Sequence, residues 1–131
     1  MERDRPPRRI DSLEAARALF ADLLTGARQE RLYVAHLDAD KGLLGLQMRF
    51  GAAEPQIDFP IRGIVGEALR LNSALLICAH NHPSGDPKPT PTDVEMTRKL
   101  VQAARPLGIS VHDHLIFADD AFVSFRRLGL L

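Results

Sequence analysis

His80 and His82 stand either side of Asn81, and Asp93 follows eleven residues after His82 with Thr90 three residues ahead of it. Imidazole nitrogen and carboxylate oxygen are donors that zinc commonly takes, at about 2.0–2.2 Å. Side chains at i and i+2 of an extended chain point to one side, so the two imidazoles can converge on a single ion if they leave the end of a strand together. Three protein ligands leave a fourth position for water, which is the ligand count of a catalytic zinc rather than a structural one. Singly, each residue has an ordinary explanation: a surface histidine, an aspartate stabilised in the first turn of a helix, a Pro-Ser-Gly-Asp-Pro turn without chemistry. Their joint spacing is what points to a metal.

The elements needed to position these residues are legible around them. The apolar run LLICA, 75 to 79, has the pattern of a strand covered on both faces, and the histidines follow its carboxyl end. Thr90-Pro91-Thr92-Asp93 has the form of a helix start, with Thr90 as N-cap, Pro91 at the first helical position and Asp93 at the third; the helix runs to about Arg105. Strand end and next helix start meet across a loop in α/β folds, where open sheets place their sites. Upstream, the spacing of Leu13, Ala16, Phe20, Leu23 and Ala27 predicts a helix over 12–28, with Asp11 as N-cap and Glu14 completing a capping box. Residues 32–37 and 43–49 read as a hairpin through DADKG, 56–60 as an extended piece, and 62–72 as a second helix. Residues 109–118 and 122–125, about the turn Asp119-Asp120, read as a second hairpin, with Pro106 and Gly108 ending the helix before it. Helices between strands make the expected fold a single α/β domain, a mixed sheet flanked by helices.

Composition narrows the partners. The 131 residues are 45% hydrophobic, enough for one ordinary core, and seventeen basic residues balance seventeen acidic ones. No overall field favours nucleic acid, anionic lipid or an acidic substrate. Residues 1–9, with four arginines and a Pro pair, are expected to form a flexible basic arm ahead of a domain over 10–131. No apolar stretch is long enough to span a membrane and none has the form of a secretory signal, so the expected location is the cytoplasm. Cys78 lies in the apolar run and is expected to be a buried thiol, not a nucleophile.

The pattern His80-x-His82-x7-Thr90-x2-Asp93 resembles the metal signature of the JAMM (MPN+) metallohydrolases. AHNHPSGDP (79–87), DHLIF (113–117) and VSFRRLG (123–129) look closer still to the RadC branch, over about residues 12–129. The resemblance implies a cytidine-deaminase-like fold, one zinc per chain held by His80, His82 and Asp93, and hydrolysis of peptide or isopeptide bonds. It implies Glu30, just ahead of the first strand, as general base, with Glu67 in the second helix as the rival. It gives the hydroxyl at Thr90, where Ser is more frequent, the stabilisation of the oxyanion. RadC-like chains usually carry a helix-hairpin-helix segment before this domain, and these residues include none; they also usually carry an acid where Gly63 stands.

The same residues bear on other functional classes. A DNA-repair-associated accessory protein, whose metal site is no peptidase, is the alternative that the RadC likeness and the arginine arm raise; zero net charge weakens nucleic acid as the partner, and the resemblance implies a peptide or protein substrate instead. A zinc deaminase of the P-C-x-x-C form needs two cysteines and is excluded by one. The string HNH is no HNH nuclease, whose motif residues are dispersed. His112 and His114 repeat the i, i+2 spacing inside a strand without a third ligand nearby in sequence, so they are expected to be no second metal cluster, though His114 could orient a ligand or line the cleft. His36 is expected to be packing.

Overall fold

A computed structural model describes residues 8–50 and 60–131. Its sheet has five strands, β1 (Arg31–Leu37), β2 (Leu43–Phe50), β3 (Leu75–Asn81), β4 (Ser110–Ala118) and β5 (Ala121–Ser124), in the order β2-β1-β3-β4-β5. The helices are α1 (Leu13–Leu24), α2 (Ile61–Leu71) and α3 (Pro91–Ala104), the last running into a 3-10 turn at Arg105–Leu107. Pairing is antiparallel except between β3 and β4, which are parallel and joined through α3. The expected mixed sheet flanked by helices is therefore the observed fold. The extended piece at 56–60 lies outside the described residues except for Pro60, which precedes α2.

Strand alternation divides the core between two layers. Tyr33, Ala35, Ile77, Ala79, Leu115 and Phe117 face α1, whose Ala16, Leu19, Phe20 and Leu24 pack on them. Val34, Leu76 and Cys78 face the other way, against Ile64 and Ala68 of α2 and Leu100 and Ala104 of α3. β3 is central and covered on both sides, which is why it reads as an unbroken apolar run. Cys78 is fully buried there, and burial, with the charge of Asp113, pushes its thiol up to about 12. It is no nucleophile.

Two local features differ from expectation. β3 continues to Asn81 rather than ending at Ala79, so His80 lies within the strand. α1 is capped by Ser12, whose side-chain oxygen accepts the Ala15 amide at 3.0 Å, and not by Asp11. That shift of one residue puts Glu14 at the second helical position, where it cannot complete a capping box. α1 also stops at Leu24 rather than near residue 28, because Thr25 turns extended and Gly26 takes a left-handed φ of 76°. Residues 1–7 of the expected arm lie outside the described residues; the Leu43 amide donates to the Arg8 carbonyl at 2.7 Å, and Arg9 forms an isolated bridge with Gly42.

No helix among the described residues is long and apolar enough to cross a membrane.

Candidate metal centre

The site begins with the pleat of β3. Leu76, Cys78 and His80 alternate onto the α2/α3 face, and His82 follows in the same phase. The His82 amide donates to the Phe117 carbonyl at 2.8 Å, which extends the β3–β4 pairing one step past the strand and fixes where the second imidazole starts. A turn then closes with the Gly85 amide on the His82 carbonyl at 3.1 Å. Gly85 has a φ of 94°, and a Cβ there would lie 3.1 Å from the Asp119 carboxylate, so glycine suits the position on both counts.

Thr90 caps α3 as expected. Its Oγ1 accepts the Asp93 amide at 3.1 Å, and Asp93 Oδ2 accepts the Thr90 amide at 2.9 Å. This reciprocal pair aims the Asp93 carboxylate back at the end of β3. His80 Nε2 and His82 Nε2 come within 3.0 Å of each other, His82 Nε2 lies 3.1 Å from Asp93 Oδ2, and His80 Nε2 lies 3.4 Å from Asp93 Oδ1. The corners of a tetrahedron with bonds of about 2.0–2.1 Å are roughly 3.3 Å apart. Taken with one atom from each residue, the three donors lie within 4.8 Å of one another, close enough to share one ion, and they form the one such group found among the described residues.

Hydrogen bonding leaves the right atoms free. His82 Nδ1 lies 2.8 Å from the Asp86 carbonyl, which can only accept, so Nδ1 carries the proton and Nε2 the lone pair. For His80 the assignment runs through three residues. The Thr97 hydroxyl donates to the Asp93 carbonyl at 2.8 Å, so Thr97 Oγ1 accepts from His114 Nδ1 at 2.7 Å. His114 is buried, and burial together with the neighbouring His80 pushes its pKa well below 6.5, keeping it neutral. Its Nε2 therefore accepts from His80 Nδ1 at 2.7 Å, and His80 Nε2 keeps its lone pair for the shared point. Both imidazoles are presented as metal ligands are, with the far nitrogen hydrogen-bonded.

Charge at the site is balanced by the same atoms. Burial alone would raise the Asp93 carboxyl, but the adjacent His80 and His82 imidazoles and the hydrogen bond from the Thr90 amide outweigh it and hold Asp93 well below the usual carboxylate range. The Asp93 hydrogen bond raises the His82 pKa against partial burial, and the negative charge of Glu30 acts in the same direction.

Glu30 and Glu67 lie at opposite ends of this face. β1 runs antiparallel to β3 with Leu32 opposite His80, so continuing the register sets Glu30 opposite His82. Glu30 shares the strand phase of Leu32, whose side chain packs into the α2/α3 layer. Glu67 pairs with Arg70 and acts electrostatically on His36, whose register partner Leu76 is four residues, roughly 13 Å, back along β3 from His80. His36 is buried with Ser73 and Gln47 on its two nitrogens, a packed polar residue. His112 falls at a register shift between β3 and β4 and joins no metal-ligating group.

Sequence reasoning did not single out Thr97. It sits one helical turn beyond Asp93, and its importance follows only from the pairing that sets His114 opposite Cys78, within reach of His80.

Comparisons with known proteins give the family. The model of the RadC-like JAB domain matches residues 10–130. A UPF0758 protein of Shouchella clausii is 38% identical over 121 residues, covering 92% of this chain and 52% of its own length. Another from Bacillus mycoides is 40% identical over 121 residues, with 92% and 53% covered, and one from Roseiflexus castenholzii 41% over 102 residues, with 78% and 44%. The chain spans about half the length of the curated relatives it matches.

Two outcomes follow for metal binding. His114→Leu leaves a buried His80 Nδ1–H without its acceptor and should weaken metal affinity by about 10–100-fold in a competition titration, whereas His114→Gln, which offers an amide oxygen, recovers part of the loss. An unchanged affinity in His114→Leu would contradict the relay. Because a proton competes with the ion for the His82 Nε2 lone pair and the His82 pKa is raised, affinity should rise as pH climbs through that raised pKa and level off above it. Calorimetry in buffers of different ionisation enthalpy should accordingly detect proton release; affinity that falls with pH across this range would contradict the assignment.

Proposed function

Since the chain belongs to the RadC-like JAB domain family, we propose that it is a zinc-dependent hydrolase of peptide or isopeptide bonds. The observation that carries the proposal is the convergence of His80 Nε2, His82 Nε2 and an Asp93 carboxylate oxygen within 4.8 Å of one another, with the far nitrogen of each imidazole hydrogen-bonded and the carboxylate held by the Thr90 amide. Two imidazoles and one carboxylate suit zinc, and three protein ligands leave it an open position. A peptide substrate is what the resemblance to JAMM enzymes implies, and the balanced charge of the chain is consistent with it.

When bound, zinc supplies a Lewis acid that lowers the pKa of a water toward about 7. The roles left to the chain's own residues are those of proton carrier and oxyanion donor. Glu30 is exposed, faces the His82 side of the site and has no hydrogen-bonded partner that would occupy its carboxylate among the described contacts. In this reading its carboxylate takes a proton as the water oxygen bonds to the carbonyl carbon. It gives that proton to the nitrogen as the C–N bond breaks, so one carboxylate serves both halves of the reaction. Thr90 Oγ1 uses a lone pair on the Asp93 amide, which leaves its hydroxyl proton to donate to the carbonyl oxygen as negative charge develops there.

Ligands and base should fail differently. Glu30→Gln keeps shape and hydrogen bonding but loses the proton acceptor; bound zinc, measured by plasma emission, should stay near one per chain while peptide hydrolysis falls by about 100-fold or more. His80→Ala should lose both metal and activity. A peptide library screened with the zinc-loaded protein supplies the substrate. Full hydrolysis by Glu30→Gln together with loss in Glu67→Gln would assign the base to the other glutamate.

A further inference from the structure

Asn81 lies between the two histidines, and strand alternation sends its side chain to the opposite face of the sheet, toward the segment linking α1 to β1. It is buried, 3% exposed, and its amide is used completely. Oδ1 accepts the Arg31 amide at 2.7 Å, while Nδ2 donates to the Gln29 carbonyl at 3.0 Å and to the Ala27 carbonyl at 3.2 Å. Backbone amides only donate and carbonyls only accept, so these partners fix which way the side-chain amide faces.

Two of the three bonds fall on the peptide groups that flank one residue. The Gln29 carbonyl belongs to the peptide entering Glu30, and the Arg31 amide to the peptide leaving it. Holding both planes restricts φ and ψ of Glu30, and hence the direction in which its side chain sets out. The third bond, to Ala27, holds the chain where α1 has already ended.

We infer that Asn81 is the positioning residue for Glu30: the tripeptide His80-Asn81-His82 presents two metal ligands on one face of β3 and, from the other, anchors the backbone of the general base. The inference rests on the catalytic reading of Glu30 given above. It couples two parts of the site that are about fifty residues apart in sequence through one buried amide. A movement of the segment at 27–31 would carry Glu30 away from the metal without disturbing either histidine's hydrogen bonds.

The test uses the full zinc-loaded chain, with Asn81→Ala and with Asn81→Asp, which keeps the size of the side chain but has no donor for the carbonyls of Ala27 and Gln29. Both variants should keep one zinc per chain. In Asn81→Ala the Arg31 amide, read by NMR hydrogen exchange, should exchange at least about 10-fold faster than in the native protein. Peptide hydrolysis should fall about 10–100-fold in kcat in both variants with KM little changed, and adding either substitution to Glu30→Gln should cost nothing more. Unchanged Arg31 exchange in Asn81→Ala, or a double variant slowed by the product of the two single effects, would overturn the positioning role. Full hydrolysis by Glu30→Gln, with Arg31 exchange still accelerated by Asn81→Ala, would instead overturn the catalytic reading beneath it.

Discussion

The alternation of side chains at the end of β3 is the constraint on which the rest of the site depends. Over three residues the pleat turns His80 toward the layer of α2 and α3, Asn81 toward the layer of α1, and His82 back again. A slip of one residue in the pairing of β3 with β1 or β4 would send both imidazoles to the wrong layer and bring Asn81 into the place of the ligands. Register is protected against such a slip because β3 is central and paired on both edges, so a shift would have to break its ladders with β1 and β4 together. The buried run from Leu76 to Ala79 thereby holds the chemistry in place, although it takes no part in it.

On that frame the electrostatics follow. A carboxylate and two imidazole lone pairs brought within 3.0–3.4 Å form a site that favours a cation. The surrounding hydrogen bonds are spent on the far nitrogens of the imidazoles, Asp86 on His82 and His114 with Thr97 on His80, while the Thr90 amide holds the Asp93 carboxylate through Oδ2. Thr97 bonds both His114 and the carbonyl of Asp93, so two of the three ligands are tied to each other through one buried hydroxyl. These bonds fix the orientation of the ligand side chains, which reduces the ordering needed on binding.

How much of this could be read from the chain depends on the range of each interaction. His80, His82, Thr90 and Asp93 were legible because strand alternation and the N-cap of α3 are local rules, and both hold in the fold. The cap of α1 was misplaced by one residue because Asp11 and Ser12 are both good capping types and only the geometry chooses between them. The early end of α1 at Leu24 was hidden by Ala27, which continues the helical spacing although Gly26 has already turned the chain. His114 was visible as a histidine in a strand, but its bond to His80 requires the parallel register of β3 and β4. Asn81 gave no signal, since its partners lie on the far side of the sheet in a segment without regular structure.

The central claim, that this chain carries a centre for one ion at His80, His82 and Asp93, is tested most directly by anomalous diffraction at the zinc absorption edge from crystals of the zinc-loaded protein. The account predicts a single strong peak bonded to His80 Nε2, His82 Nε2 and an Asp93 carboxylate oxygen at about 2.0–2.2 Å, with His80 Nδ1 still hydrogen-bonded to His114. A peak held through a different nitrogen, a peak that recruits His114 as a ligand, or no peak at these residues from a fully loaded protein would contradict it.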